Sequence, residues 1–155
     1  MRLKKIIILG ASLLPLLSLV ACSEEKNAAF SDNQQTEYVE RKVNPREYSQ
    51  GQRLYQLNCS SCHGKQGEGA KNWQKRDKDG KNQPPPLNGT GHTWHHSPKA
   101  LALVIRNGTG KIGGNMPAWK DKLSNREIEL ILGWITAQWP DEIYTIWYNQ
   151  HHQQN

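Results

Sequence analysis

A chain of 155 residues of which only 35% are hydrophobic and 22% charged is short of apolar material for a protein-only core of its length. Its formal net charge of +6 leans on Arg2, Lys4 and Lys5 at the start. Without those three, 17 basic residues face 14 acidic ones, and no basic run is interleaved with aromatics, so nothing favours a nucleic-acid partner.

In chain order, a basic start is followed by an apolar run from Ile6 to Ala21 broken by Gly10 and Pro15, the pattern of an export signal over 1–21. The run falls short of the about 20 apolar residues that a spanning helix needs, so cleavage is expected rather than retention. Its end, Leu19-Val20-Ala21-Cys22, resembles the bacterial lipobox, which implies that Cys22 is lipidated and becomes the anchored first residue. An ordinary cleavage site with an incidental cysteine is the alternative, but an odd thiol in an oxidising compartment needs an explanation.

Residues 22–44 are rich in Glu, Asn, Gln, Ser and Lys without periodicity and read as a flexible tether, with the folded domain over 45–148 and a polar tail over 149–155. Asn44-Pro45 opens a first helix carrying Tyr48, Gly51, Leu54 and Tyr55. Ser97-Pro98 opens a second, with Leu101, Val104 and Ile105 on one face, closed by Asn107-Gly108. Ser124-Asn125-Arg126-Glu127 is a capping box for a third, striped by Ile128, Ile131, Leu132, Ile135 and Trp139 and ended by Pro140. A short helix over Asp141 to Tyr148 returns Ile143, Ile146 and Trp147 to the body. No stretch alternates like a strand, so the expected domain is all-α with long ordered loops, which need something to pack on.

Cys59-Ser60-Ser61-Cys62-His63 is the attachment signature of c-type haem. Two thiols three positions apart reach two vinyl groups on one porphyrin edge, and the adjacent histidine turns beneath the iron. A thioredoxin-like pair would need only the cysteines, and a zinc site would need a second ligand pair. The expected cofactor is therefore one covalent haem c.

The second axial ligand should come from far along the chain, and Met116 in Gly113-Gly114-Asn115-Met116-Pro117 is the leading candidate. Glycines let the backbone approach the ring, and Pro117 biases Met116 toward an extended conformation. His92, His95 and His96 around Trp94, and His151 and His152 in the tail, are the rivals. The same loop histidines suggest a weak copper or zinc surface site.

Over about Pro45 to Pro140 the chain resembles the class I cytochromes c. Gly51-Gln52-Arg53-Leu54-Tyr55 matches the family's glycine and aromatic on the N-terminal helix, and Ile131-Leu132-Gly133-Trp134 matches the pair on its C-terminal helix, with glycine allowing a close crossing. Pro85-Pro86-Leu87-Asn88-Gly89 matches the loop whose proline carbonyl accepts the ring N–H of the haem histidine, which implies that Pro85 orients His63. The chain departs from the mitochondrial pattern in lacking its lysine-rich face and in carrying His92-Thr93-Trp94-His95-His96. Trp94, Arg106 and Trp119 are candidate propionate partners.

The resemblance implies a cytochrome c fold wrapped around one haem, and with both axial positions filled the chemistry is single-electron exchange between redox protein partners. Methionine ligation favours the reduced state. A monomer, held by a lipid anchor in the cell envelope and facing the periplasm or the cell exterior, is expected. A small haem peroxidase, or a metal-handling accessory protein using His92, His95 and His96, are the rival functions.

Overall fold

The computed structural model describes residues 38–152, so the export segment over 1–21, Cys22, most of the expected tether and the last three residues lie outside the described residues. Five α-helices follow one another: α1 (Pro45–Asn58), α2 (Ser60–His63), α3 (Pro98–Asn107), α4 (Asn125–Ala137) and α5 (Asp141–His152). Short 3-10 turns at Thr93–His95 and Gly110–Ile112 interrupt the loops. Among the described residues there is no strand, only isolated bridges from Asn82 to Arg76 and to Gly114. The fold is all-α, as the sequence pattern predicts.

The helix starts are set by local chemistry. Asn44 Oδ1 accepts from the backbone of Arg46 and Glu47, at 3.0 and 3.3 Å, ahead of Pro45, whose ring pre-sets the first helical residue. Ser97 Oγ caps α3 by accepting from Ala100 N at 3.2 Å. At α4 the capping box is reciprocal: Ser124 Oγ accepts from Glu127 N at 3.2 Å, and Glu127 Oε2 accepts from Ser124 N at 2.8 Å.

The core lies where α1 crosses α4, joined by α5. Tyr55, Ile128, Ile131, Trp134, Ile135, Trp139 and Trp147 are all buried in it. Leu130 and Trp134 are buried as well, beyond the predicted α4 stripe, while Leu132 is half-buried. Of the two glycines in the crossing motifs, Gly51 makes the approach: a Cβ there would sit 2.1 Å from Leu130 O, whereas Gly133 faces open space. Close approach brings the Tyr55 ring to 4.3 Å from that of Trp134.

Two boundaries differ from expectation. The tether expected to reach residue 44 is already docked by Val39, whose N–H donates to Thr145 Oγ1 at 3.0 Å. Arg41 follows, donating to Ala137 O at 3.0 Å and to Asp141 Oδ1 at 2.5 Å, with its guanidinium 4.6 Å above the Tyr144 ring. It satisfies a carbonyl that the end of α4 leaves unpaired. At the other end α5 runs through His152, four residues past the expected Tyr148, because Tyr148 stacks on His152 at 4.5 Å and Trp147 lies 5.0 Å from the same ring.

Candidate haem site

The last turn of α1 and the single turn α2 carry the cysteine motif. Cys59 N donates to Tyr55 O at 2.8 Å and His63 N to Cys59 O at 2.9 Å, so Cys59, Cys62 and His63 lie on one continuous turn before Gly64, at φ +81°, ends it. Both cysteines are free thiols, Cys59 half-buried and Cys62 exposed. Burial, and then the neighbouring Cys62, push the Cys59 thiol up to about 11. A thioredoxin-like pair depends on a depressed thiol, so this environment argues against that reading.

His63 is 9% exposed, and its Nδ1 lies 3.0 Å from Pro85 O. A carbonyl can only accept, so Nδ1 carries the proton and Nε2 keeps its lone pair. Burial lowers the pKa of the ring against the opposing pull of the Pro85 bond, which favours the neutral form a metal ligand requires.

The Pro85 carbonyl is aimed by its neighbours. Prolines have no N–H to donate, so the run Pro84-Pro85-Pro86 offers only acceptors. Each meets a donor from a different segment: Pro84 O takes Ala70 N at 2.9 Å, Pro85 O the His63 ring, and Pro86 O takes Thr93 Oγ1 at 3.0 Å. The next carbonyl, of Leu87, takes Trp139 Nε1 at 2.7 Å. Gly69, at φ +70°, makes room, since a Cβ there would lie 2.5 Å from Pro86 N.

Met116 is half-buried and held by Thr109. Its N–H donates to Thr109 Oγ1, and its carbonyl accepts from Thr109 N, both at 3.0 Å. Gly108, at φ +70°, ends α3 and lets this segment lie against it: a Cβ would come 2.6 Å from Met116 O. On the far flank Asn82 N donates to Gly113 O at 2.8 Å, and Asn115 Nδ2 to Asp77 Oδ2 at 3.2 Å.

A helix that should bury a stripe does not: α3 has no fully buried residue, and Leu103 and Val104 are 47% and 38% exposed, as is Ile112 at 67%. So much apolar surface left by the chain itself, together with a neutral buried imidazole and two free thiols on one turn, fits an apolar prosthetic group attached at the cysteines.

The histidines of the loop make contacts within the protein. His92 stacks on Trp73 at 5.4 Å, His95 stacks on Trp94 at 3.7 Å, and His96 gives its carbonyl to Trp147 Nε1 at 2.9 Å. Among the described residues no three His, Cys, Asp or Glu side chains come together as a metal site. The loop braces the structure: through Thr93 and His96 it ties the proline run to α5. Of the propionate candidates, Arg106 bonds Asn125 and Trp119 packs half-buried against the core. The sequence assigns no role to Gly69, Thr109 or Asp77, and places Trp139 in the stripe of α4 and Thr93 in the histidine loop without a partner for either.

A protein-family model described as cytochrome c oxidase, cbb3-type, subunit III matches residues 46–135. Among solved structures, a chain of the reducing HAO-like protein complex of Kuenenia stuttgartiensis aligns with a TM-score of 0.50 at 21% identity, covering 66% of this chain and 48% of that one. Cytochrome cL of Methylophaga aminisulfidivorans aligns with a TM-score of 0.48 at 20% identity, covering 68% of this chain and 64% of its own. The chain thus spans less than two thirds of either. The family match covers more than half of the chain and contains the cysteine motif, the proline run and Met116, and the chain belongs to this family of c-type cytochromes: it is a monohaem electron-transfer cytochrome with covalent haem c.

Proposed function

We propose that Cys59 and Cys62 form the two thioether links, that His63 and Met116 are the axial ligands, and that Pro85 orients His63. The observation that carries this reading is the His63 Nδ1 to Pro85 carbonyl contact at 3.0 Å, which leaves Nε2 as the only ring nitrogen with a lone pair. Haem c held in this way supplies reversible one-electron Fe(III)/Fe(II) exchange. The chain's part is to fill both axial positions, to keep His63 neutral and fixed, and to leave Cys62 and its surroundings exposed as the point of approach for redox protein partners. Such encounters are small and transient.

With two protein ligands no position remains for substrate, so the protein is a carrier and not an enzyme. It acts as a monomer in the cell envelope, facing the periplasm or exterior, with Cys22 as its lipid anchor. Cys22→Ala, with a signal that is still cleaved, should release holoprotein with an unchanged spectrum into the soluble fraction. Retention in the membrane after a high-salt wash would refute the anchor.

The ligand assignment is tested on oxidised holoprotein. Met116→Ala should abolish the weak near-infrared sulfur-to-iron band, lower the potential and admit cyanide, because a soft thioether favours ferrous iron. Replacing His92, His95 and His96 together should alter none of these. Loss of the band in the histidine variant instead would transfer the ligand to that loop.

A further inference from the structure

The segment from Asn72 to Asn82 is not needed by the cysteine motif or by Pro85, yet it is built around one carboxylate. Asp77 Oδ1 accepts from the backbone N–H of Asp79 and Lys81 at 2.9 and 2.8 Å, while Gly80 N donates to Asp77 O at 3.0 Å. Gly80, at φ +72°, closes the turn, and Arg76 donates across it to Gly80 O at 2.7 Å. The turn is rigid by itself. Its remaining oxygen, Oδ2, reaches 38 residues along the chain to accept from Asn115 Nδ2 at 3.2 Å. Both carboxylate oxygens are engaged by amide donors, so the turn is organised around Asn115 and not around a cation.

Asn115 is the residue before Met116. A second strut runs parallel, from Asn82 N to Gly113 O at 2.8 Å. Thr109 holds the Met116 backbone from the α3 side, and the Asp77 turn holds the same segment from the opposite flank. The glycines at 113 and 114 leave this stretch with little stiffness of its own, so its position is set by what grips it.

We propose that Asp77 is a positioning residue for Met116: by holding Asn115, its carboxylate sets how readily the thioether leaves the iron, and so whether the centre stays closed to small ligands. This rests on Met116 being the sixth ligand. The grip is a charge-assisted hydrogen bond, stronger than a neutral one. Both partners are within reach of water, so the bond yields before the Thr109 pair does and acts as the adjustable side of the clamp.

The test uses oxidised holoprotein and reads the rate of cyanide binding, the sulfur-to-iron band, and amide hydrogen exchange at Gly114 and Met116. Asp77→Ala, which removes the acceptor for Asn115 together with that for the two backbone N–H groups of the turn, should speed both cyanide binding and exchange roughly fivefold. Asn115→Asp should do at least as much, since two carboxylates then face each other. In Asp77→Asn the Asn115 amide can turn to accept, so a neutral bond replaces the charge-assisted one and the rate should rise, but by less than in Asp77→Ala. The exchanged pair, Asp77→Asn with Asn115→Asp, restores a donor and an acceptor and should return to within about twofold of the native rate. Glu47→Ala, which breaks the α1 to α4 ion pair with Arg126, serves as the control and should leave cyanide binding unaltered.

If Asp77→Ala and Asn115→Asp bind cyanide at the native rate while Met116→Ala binds it fast, the positioning role is wrong and the ligand assignment stands. If Met116→Ala keeps the band and the native rate, the ligand assignment falls and this proposal with it. Should Asp77→Ala fail to accumulate as holoprotein, Asn115→Asp, at an exposed position, carries the same test. Failure of the exchanged pair to recover also overturns the proposal, because only a direct contact predicts rescue.

Discussion

On the His63 side, four successive carbonyls from Pro84 to Leu87 each take a donor from a separate part of the chain, and the bond from Thr93 is fully buried. On the Met116 side the segment is gripped by Thr109 and by the Asp77 turn, through bonds that are half-buried or exposed. The first arrangement has no slack, since shifting one carbonyl disturbs partners in three other segments. The second can loosen at one contact while the others hold. With His63 and Met116 as the proposed ligands, one would be held without slack and the other by a grip that can loosen locally.

Three experiments break or sharpen this contrast. Replacing both Cys59 and Cys62 by alanine should have the largest effect: no covalent haem and little folded protein by circular dichroism, because the chain alone leaves Leu103, Val104 and Ile112 exposed and has a thin core. A well-folded haem-free variant would show that both sides stand without the cofactor.

The two crowded glycines come next. Both Gly69 and Gly108 sit at φ +70°, with a Cβ meeting backbone at 2.5 and 2.6 Å. Gly69→Ala should cost about 3 kcal/mol in denaturant unfolding of the holoprotein, since the pinned proline run cannot retreat. Gly108→Ala should cost about 2 kcal/mol and show itself in faster cyanide binding as the Met116 segment shifts. A larger stability loss at Gly108 would reverse the comparison.

Matched hydroxyl deletions should be smallest. Thr93→Val leaves the Pro86 carbonyl buried and unpaired, at about 1–2 kcal/mol, with the sulfur-to-iron band unchanged. Thr109→Val should cost less than about 1 kcal/mol, because the Met116 N–H it releases can reach water, and should weaken the band. Equal spectra in the two variants would mean that Thr109 does not steady Met116.

What could be read from sequence follows from how far apart the partners lie. Asn44 with Arg46, Ser97 with Ala100 and Ser124 with Glu127 are at most three residues apart, so the starts of α1, α3 and α4 are legible in the sequence. The pairing of His63 with Pro85 comes through family resemblance and not through spacing; the same resemblance puts the close helix crossing at Gly133, whereas the structure has it at Gly51. The docking of Val39 on Thr145 spans 106 residues and nothing in a polar, aperiodic stretch announces it. The same holds for Thr93, Trp139 and Asp77, whose partners are chosen by the folded chain. The spacing of Leu101, Val104 and Ile105 marks a stripe on α3, but nothing in it says that the chain leaves Leu101 and Ile105 half-buried and Val104 exposed.

The docking of Val39 and Arg41 also decides where the domain bears mechanical load. A pull transmitted through residue 38 is taken up first at Thr145 and Asp141 on α5 and at the carbonyl end of α4. Helix α1 follows only a few residues later in sequence, yet it stands behind this clasp and not in the line of force. The turn bearing Cys59, Cys62 and His63 is thereby strain-relieved, in the way a cable is secured to a housing before it reaches the contact.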